Sequence, residues 1–228
     1  DPENPRARER LEMMREAGCT GLTIAIESAD ANIRKEVLNR PMKEELMFRV
    51  FEHLNTLGYK VRTEQMLGLP YGATENQTKV GLEADIETLE LNVRLKEATG
   101  LPTMAWASIF APYSGTKIGN YCAKHGFYAG ENDDVPETFF QRSVLNFPKR
   151  WIGPSLSPNN KSVWMDEKEL TSYKDNLQLL RDLFNIFALV PKGHKLAQKF
   201  LAQKDKSYFG FSTETRRHLY DSVLYGVE

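Results

Sequence analysis

The chain has 228 residues, of which 41% are hydrophobic, and its thirty Lys and Arg against thirty-one Asp and Glu give a formal net charge of -1. This length is enough for one full-sized core, or for one core with an appended subdomain. The balanced charge lacks the broad basic field that non-specific nucleic-acid binding requires, so no nucleic-acid partner is predicted.

Hydropathy and cysteine content indicate a protein of the cytoplasm. The longest apolar runs, such as LFNIFALV at 183–190, are shorter than the roughly 20 residues that cross a bilayer, so no transmembrane span is predicted. Residues 1–10 are charged, contain two prolines and do not begin with Met, which is unlike a signal peptide and suggests a fragment or a processed product. Two cysteines, Cys19 and Cys122, are typical of a reducing compartment and give no disulfide framework.

The first two-thirds of the chain alternate helix and strand signals, which favours parallel βα units. Apolar spacing predicts a helix over 6–17, a strand over 20–28, a second helix over 43–57 and a second strand over 60–67. Glycines 18 and 58 stand where the two helices should end.

A third βα unit follows. The sequence TENQ at 74–77 has the spacing of a capping box and predicts a long helix from there to about residue 98. A third strand is predicted over 103–110, then a turn at 111–115 and a short helix that ends near residue 124.

The composition changes after residue 128. Residues 130–136 are acidic, and 148–160 hold three prolines, one glycine and no periodicity, which indicates a connector. Amphipathic spacing then predicts a helix over 167–190, a basic helix over 195–204 and a helical tail over 208–228. We therefore expect two parts, 1–128 and 129–228, the second being a connector with a helical extension.

Two charged residues near the first strand are candidates for a binding site. Glu27 follows the apolar Ile24-Ala25-Ile26, so its carboxylate needs strong donors: backbone groups, Arg40 or a cationic ligand group. Arg40 precedes Pro41, which fixes a non-helical backbone and can aim the guanidinium over the strand ends. Its planar fork suits a ligand carboxylate, although a solvated surface arginine would show the same pattern.

The second strand adds weaker signals. Glu64 could accept from vicinal hydroxyls or pair with Arg62 or Arg40, and the sequence Gly68-Leu69-Pro70 lets the backbone approach a ligand and turn sharply. The four histidines are scattered without metal-ligand spacing, so no metal site is predicted from them. Nucleophile elbows, Ser-His constellations and Gly-rich phosphate loops are also missing from the sequence, which disfavours hydrolase and nucleotide-fold chemistry.

Three segments carry a family resemblance when they are taken in order: LEMMREAGCTGLTIAIESADANIRKEVLNRPMKEE, VRTEQMLGLPYGATENQT and ASIFAPYSGTKIGNYCAKHGF. Together they resemble the second half of the barrel of radical S-adenosylmethionine (radical SAM) enzymes, and most of all the branch that often carries a cobalamin-binding domain. The likeness covers roughly residues 8–128. It implies an α/β fold: a partial (β/α) barrel of parallel strands with covering helices, followed by an α-helical C-terminal extension.

The resemblance also implies roles for individual residues in binding S-adenosylmethionine. Glu27 would accept from the amino group of the methionine moiety, Arg40 would clamp its carboxylate, and Glu64 would lie near the ribose. Backbone from Ile109 to Pro112 would flank the adenine. Three further residues in the matching motifs complete the predicted cofactor-binding set: Ser28, Gly68 and Pro70. Ala29-Asp30 and Ser114 depart from the usual motif residues without breaking the pattern.

A larger departure is the missing C-x-x-x-C-x-x-C motif, whose three cysteines hold a four-iron four-sulfur cluster in the family. Cys19 and Cys122 lie more than a hundred positions apart and cannot replace it. The resemblance therefore implies that the cluster ligands lie in an upstream half of the same polypeptide, and that these residues alone are inactive. The parent would generate a 5'-deoxyadenosyl radical for methylation, cyclisation or rearrangement of a small-molecule or peptide substrate, with cobalamin as a further candidate cofactor.

Two alternatives remain open at this point. The chain could be a non-catalytic binding or scaffolding module that keeps the barrel framework without the cluster. It could also belong to an ordinary barrel lyase or aldolase in which Lys60 or Lys117 acts as base or Schiff-base former. The second alternative would need a complete eight-stranded barrel.

Overall fold

A sheet of three parallel strands forms the centre of the computed structural model, which describes residues 1–71, 81–128, 142–150 and 163–202. The strands are β1 (Gly21–Glu27), β2 (Lys60–Leu67) and β3 (Met104–Ile109), and they lie in the order β1-β2-β3. Helices connect them, as the alternating sequence signals predict. The expected fold class, parallel α/β units followed by a helical extension, is confirmed.

Six α-helices and one π-helical turn lie in the described parts of the chain. They are α1 (Pro5–Glu16), the π-turn (Ile33–Val37), α2 (Glu44–Thr56), α3 (Leu82–Thr99), α4 (Lys117–Lys124), α5 (Glu167–Phe187) and α6 (Gly193–Leu201). None of the helices within these ranges is long and apolar enough to cross a membrane. The predicted helical tail at 208–228 lies outside the described residues.

The two faces of the sheet have different surroundings. Along β2, Val61, Thr63, Gln65 and Leu67 are buried, whereas the alternate positions are exposed or half-buried. The register places Glu64 beside Trp106 and Met66 beside Ser108 on β3. We call the face that carries Arg62, Glu64, Met66, Trp106 and Ser108 the open face, because no helix in the described residues covers it as α3 covers the other.

Helix α3 is buried over much of its surface because it packs against α2, α5 and α6 as well as the sheet. Its buried residues include four polar ones, Asp85, Thr88, Asn92 and Thr99. The helix begins at Leu82 after Gly81, whose φ of 60° and ψ of -145° are not helical, so the expectation of one continuous helix from residue 74 is wrong. The predicted capping box at 74–77 itself lies outside the described residues.

Helix α5 begins with a reciprocal cap: the Asp166 carboxylate accepts from the Glu169 amide and the Glu169 carboxylate accepts from the Asp166 amide, both at 2.9 Å. Its apolar stripe is buried against β3 and α3, in the same cluster as Leu67 of the sheet. The helix ends at Phe187, three residues before the predicted end. The division of the chain at residue 128 stays a prediction, although α5 and the sheet share a core.

A short antiparallel pair precedes α5. It consists of β4 (Pro148–Arg150) and β5 (Val163–Trp164), in a region predicted to be a connector without regular structure. The pair brings Trp164 edge-on to Phe127, with ring centroids 5.4 Å apart, and so anchors this region on the end of α4.

Candidate functional site

An open cleft of about 540 Å³ lies at the carboxyl ends of the three strands and continues over the open face. This is the edge at which α/β folds built from parallel strands keep their ligands, because the loops that leave the strands converge there. Its lining residues come from all three strand ends and from the loop into α4: Glu27, Glu64, Gln65, Met66, Trp106, Ser108, Ile109, Phe110, Ala111, Tyr113, Thr116 and Ile118.

Glu27 enters the cleft because the end of β1 departs from regular strand geometry. The register with β2 shifts between Ala25 and Glu27, and Glu27 has a φ of 67°. Residues other than glycine rarely adopt a positive φ, and those that do are often found at functional sites. The carboxylate of Glu27 accepts a hydrogen bond from Nη1 of Arg40.

The Glu27–Arg40 pair is asymmetric in exposure, since the side chain of Glu27 is 13% exposed and that of Arg40 is 57% exposed. Burial raises the pKa of Glu27, the nearby Arg40 opposes that rise, and the neighbouring Glu64 carboxylate adds to it. Two carboxylates and the exposed guanidinium of Arg40 therefore share this corner of the cleft. An added cationic group would relieve the repulsion between Glu27 and Glu64.

Glu64 lies in the middle of the open face, where its carboxylate pairs with Arg62 two residues earlier. The register puts Trp106 directly beside it on β3, and Trp106 is 37% exposed. Sequence reasoning did not single out Trp106. Its signal was available, because it alternates with the buried Ala105 and Ala107 along a predicted strand and therefore has to face away from the helices.

The other predicted site residues divide into two groups. Ile109 lines the cleft, and Pro112 lies buried in the loop that follows it. Ser28, Gly68 and Pro70 are buried and lie outside the cleft lining. The hydroxyl of Ser28 is hydrogen-bonded to the Tyr71 hydroxyl at 2.8 Å and accepts from the Asp30 amide at 3.1 Å. Their roles in cofactor binding stay predictions.

Gly68 is linked to the helical extension through a buried carboxylate that sequence reasoning did not identify. Its amide donates to Oδ1 of Asp85 at 2.9 Å, and the Tyr173 hydroxyl of α5 donates to Oδ2 at 3.2 Å. Burial raises the pKa of Asp85 to about 7, and both hydrogen bonds oppose that rise. Asp85 therefore joins the turn after β2 to α3 and α5.

Arg34 is a second buried charge that the sequence did not single out. It is 2% exposed, and its guanidinium donates to the carbonyl oxygens of Ser28, Ala29 and Met42. In the sequence it is one of two adjacent basic residues in a helical segment, so no pattern set it apart from a surface charge.

The cysteines and lysines do not gather at the cleft. Cys19 is half-buried and its Sγ donates to the Gly21 carbonyl at 3.4 Å, whereas Cys122 is fully buried and burial raises its pKa to about 12. Within the described ranges no group of three or more His, Cys, Asp and Glu is placed to hold a metal ion. Lys60 begins β2 at the end opposite the cleft, and Lys117, at the start of α4, is not among the lining residues, so the geometry does not favour a lysine-dependent lyase.

Comparison with known proteins gives one match in sequence and one in structure to report. Over 154 residues the chain is 25% identical to the cytidylyl-2-hydroxyethylphosphonate methyltransferase of Streptomyces wedmorensis, a match that covers 65% of this chain and 26% of that protein. The chain is thus similar to a methyltransferase. No family model matches it.

The structural match is coproporphyrinogen III oxidase (HemN) from Escherichia coli, a radical SAM enzyme. The TM-score is 0.38 and the sequence identity 17%, over 57% of this chain and 25% of that one. The chain spans about a quarter of the length of both proteins.

Proposed function

We propose that this chain is the C-terminal part of the barrel of a radical SAM enzyme, and that its cleft binds S-adenosylmethionine. The observation that carries the proposal is the Glu27–Arg40 pair at the carboxyl end of β1, in a cleft that Glu64 and Ile109 of the neighbouring strands also line. The segments that resemble the family supply these same residues. The similarity to a methyltransferase supports the proposal independently of the geometry.

The methionine moiety of S-adenosylmethionine carries an ammonium and a carboxylate on one carbon. Glu27 offers an acceptor for the ammonium, and Arg40 offers a planar fork for the carboxylate. In the free protein the two side chains pair with each other, and 57% exposure leaves Arg40 accessible to a ligand. Because burial and Glu64 both disfavour an isolated charge on Glu27, an ammonium group would bind there with a favourable change in electrostatic energy.

The remaining groups suit the nucleoside part. Glu64 projects from β2 on the open face and could accept from the two ribose hydroxyls. Ile109, Phe110 and Ala111 form an apolar wall at the end of β3, which suits the face of an adenine ring. Glu27, Glu64 and the apolar wall belong to three adjacent strands, so one ligand could extend across all three.

A four-iron four-sulfur cluster, when bound in such an enzyme, supplies the electron that cleaves S-adenosylmethionine to a 5'-deoxyadenosyl radical and methionine. The residues of this chain do not fit such a cluster, because its two cysteines are far apart in sequence and Cys122 is fully buried. We propose that an upstream half of the same polypeptide provides the ligands. The described residues give no support for a cobalamin site, which stays a prediction.

Among methylation, cyclisation and rearrangement, the similarity to a methyltransferase favours a radical-based methylation. The substrate would be a small molecule or a peptide. A cleft that is open over the face of the sheet leaves space for it beside the predicted ligand, next to Trp106.

The binding role is tested in the full-length protein that contains this chain, reconstituted with iron and sulfide under anaerobic conditions. We expect Arg40→Gln to weaken the affinity for S-adenosylmethionine by about 10- to 100-fold, since a charge-assisted hydrogen bond contributes roughly 1.5–3 kcal/mol. Isothermal titration calorimetry measures the change. Arg94→Gln is the matched control, because Arg94 also pairs with a glutamate, Glu44, at half-exposed positions on α3 and α2.

Unchanged affinity in Arg40→Gln would remove Arg40 from the site. A second measurement addresses the fragment: the 228-residue chain alone, treated with iron and sulfide, should not develop the visible absorption of an iron-sulfur cluster. A stable cluster in these residues would contradict the proposed division of the site. A full-length protein that binds S-adenosylmethionine without any cluster would instead support the binding or scaffolding alternative.

A further inference from the structure

Arg34 is a fully buried arginine whose hydrogen bonds go to main-chain carbonyls on two separate loops. Nη1 donates to the carbonyls of Ser28 and Ala29, at 2.6 and 2.8 Å. Nε and Nη2 both donate to the carbonyl of Met42, at 3.2 and 3.0 Å. Burial lowers the pKa of Arg34, and the nearby carboxylates of Asp30 and Glu44 oppose that fall.

The two loops that Arg34 joins carry the two members of the ion pair. Ser28 and Ala29 directly follow Glu27 at the end of β1, and Met42 follows Arg40 by two residues. The backbone of Arg34 adds to the link, because its own carbonyl accepts from the Arg40 amide at 2.6 Å. Arg34 thus holds the loop of Arg40 through its own carbonyl and through its guanidinium, and the guanidinium also connects this loop to the segment that follows Glu27.

The backbone around Arg34 is irregular on its C-terminal side. Arg34 lies in the π-helical turn Ile33–Val37, which closes with a bond from the Leu38 amide to the Ile33 carbonyl at 3.0 Å, and Asn39 then has a φ of 53°. π-turns and left-handed residues cost free energy and persist where the surroundings hold them in place. No strand among the described residues pairs with the chain between the π-turn and α2, so the guanidinium provides the main-chain contacts that hold this segment.

We propose that Arg34 is a positioning residue for ligand recognition: it sets the separation of Glu27 and Arg40, and therefore selects a ligand end that carries an amino group and a carboxylate together. This inference rests on the proposed function. Arg34 itself is buried and lies outside the lining of the cleft, so it acts through Arg40. Removing it should leave the adenine side of the cleft, which belongs to β2 and β3, unchanged.

The test compares two probes in the full-length protein: S-adenosylmethionine, which has the amino-acid end, and 5'-methylthioadenosine, which lacks it. We expect Arg34→Met to weaken S-adenosylmethionine binding about tenfold or more while the affinity for 5'-methylthioadenosine changes less than about twofold. Arg34→Lys keeps the charge but loses the planar fork, so it should weaken S-adenosylmethionine binding selectively but less than Arg34→Met does. Circular dichroism checks that each variant is folded. If Arg34→Met does not fold, the two affinities are compared in Arg34→Lys instead.

Arg15 provides a matched control at the other end of β1. Its guanidinium also donates to main-chain carbonyls of two segments, those of Leu57 at 3.0 Å and Cys19 at 3.5 Å. Arg15→Met should leave the affinities for both probes unchanged. Equal losses for both probes in the Arg34 variants would show a general structural role and overturn the inference, as would no loss at all. A wild-type protein that binds 5'-methylthioadenosine and S-adenosylmethionine equally well would contradict the amino-acid subsite itself, and one that binds neither would contradict the proposed function.

Discussion

Asp85 carries a buried carboxyl group, and its ionisation should affect how the stability of the protein depends on pH. Burial raises its pKa in the folded chain to about 7, whereas an aspartate in an unfolded chain titrates near 4. Between these values the folded state binds a proton that the unfolded state has released. The contribution of Asp85 to stability is therefore present below about pH 4 and is lost as the pH rises to about 7.

Asp85→Asn should remove this part of the pH dependence. An asparagine oxygen can still accept from the Gly68 amide, and its NH₂ group can donate to the Tyr173 hydroxyl. We expect the free energy of unfolding of the wild type, relative to the variant, to fall by up to about 1.4 kcal/mol per pH unit across this range. Urea denaturation at a series of pH values measures the difference between the two proteins. Parallel curves for wild type and variant would show that Asp85 does not titrate there.

The candidate site shows what a sequence reveals about single residues. The ion pair between Glu27 and Arg40 was one of the predicted interactions. A carboxylate that follows an apolar strand needs a donor, and an arginine before a proline can extend over the strand ends. The burial of the Ser28 hydroxyl against Tyr71 was not foreseeable, since it depends on the positive φ of Glu27. Arg34 escaped notice for a related reason: a buried arginine and a surface arginine occupy the same helical pattern.

Among the secondary-structure elements, the turn after β2 and helix α5 press closely on each other. Gly68 has a φ of 70°, and a Cβ added there would lie 2.6 Å from Cδ2 of Leu177. Gly115 has a similar φ of 80°, but a Cβ there would meet nothing within 4 Å. The two glycines therefore separate the cost of backbone conformation from the cost of contact with α5.

Gly115→Ala should lower the free energy of unfolding by about 1 kcal/mol, the cost of an alanine in a left-handed conformation. Gly68→Ala should cost about 1–3 kcal/mol more, because the methyl group overlaps a packed leucine. Urea denaturation gives both values. Adding Leu177→Ala to Gly68→Ala tests the cause, since the extra cost should shrink when the leucine is shortened. Equal costs at the two glycines would mean that α5 does not constrain the turn.

The strands were predicted to within about two residues because period-two burial and the bounding glycines are local signals. Helix starts were less predictable: α3 begins at Leu82, after Gly81, whose φ of 60° is not helical and where an added Cβ would lie 3.5 Å from the Tyr173 ring of α5. A helical segment ending at Val37-Leu38 was expected, but its π-helical form had no local signal, nor did the β4–β5 pair.

At the scale of the whole molecule, the helical extension completes the core of the sheet layer. One apolar cluster contains Leu67 and Ala107 from the strands, Val93 from α3, and Leu177 and Phe184 from α5. Met66 of the open face packs against this cluster, whereas Arg62, Glu64, Trp106 and Ser108 are not part of it. In the described residues the sheet therefore has one side that the extension covers and one open side, over which the candidate cleft continues.

Phe184→Ala tests whether the sheet and the extension unfold together. Phe184 is fully buried in the shared cluster, so removing its ring should lower the free energy of unfolding by about 3–5 kcal/mol. If the core is one cooperative unit, tryptophan fluorescence and far-ultraviolet circular dichroism should report a single transition, displaced equally for both probes. Leu196→Ala on α6 is the control, because Leu196 is 41% exposed and its loss should cost less than about 1 kcal/mol. Two separate transitions, of which Phe184→Ala shifts only one, would instead mean that the extension folds as an independent domain.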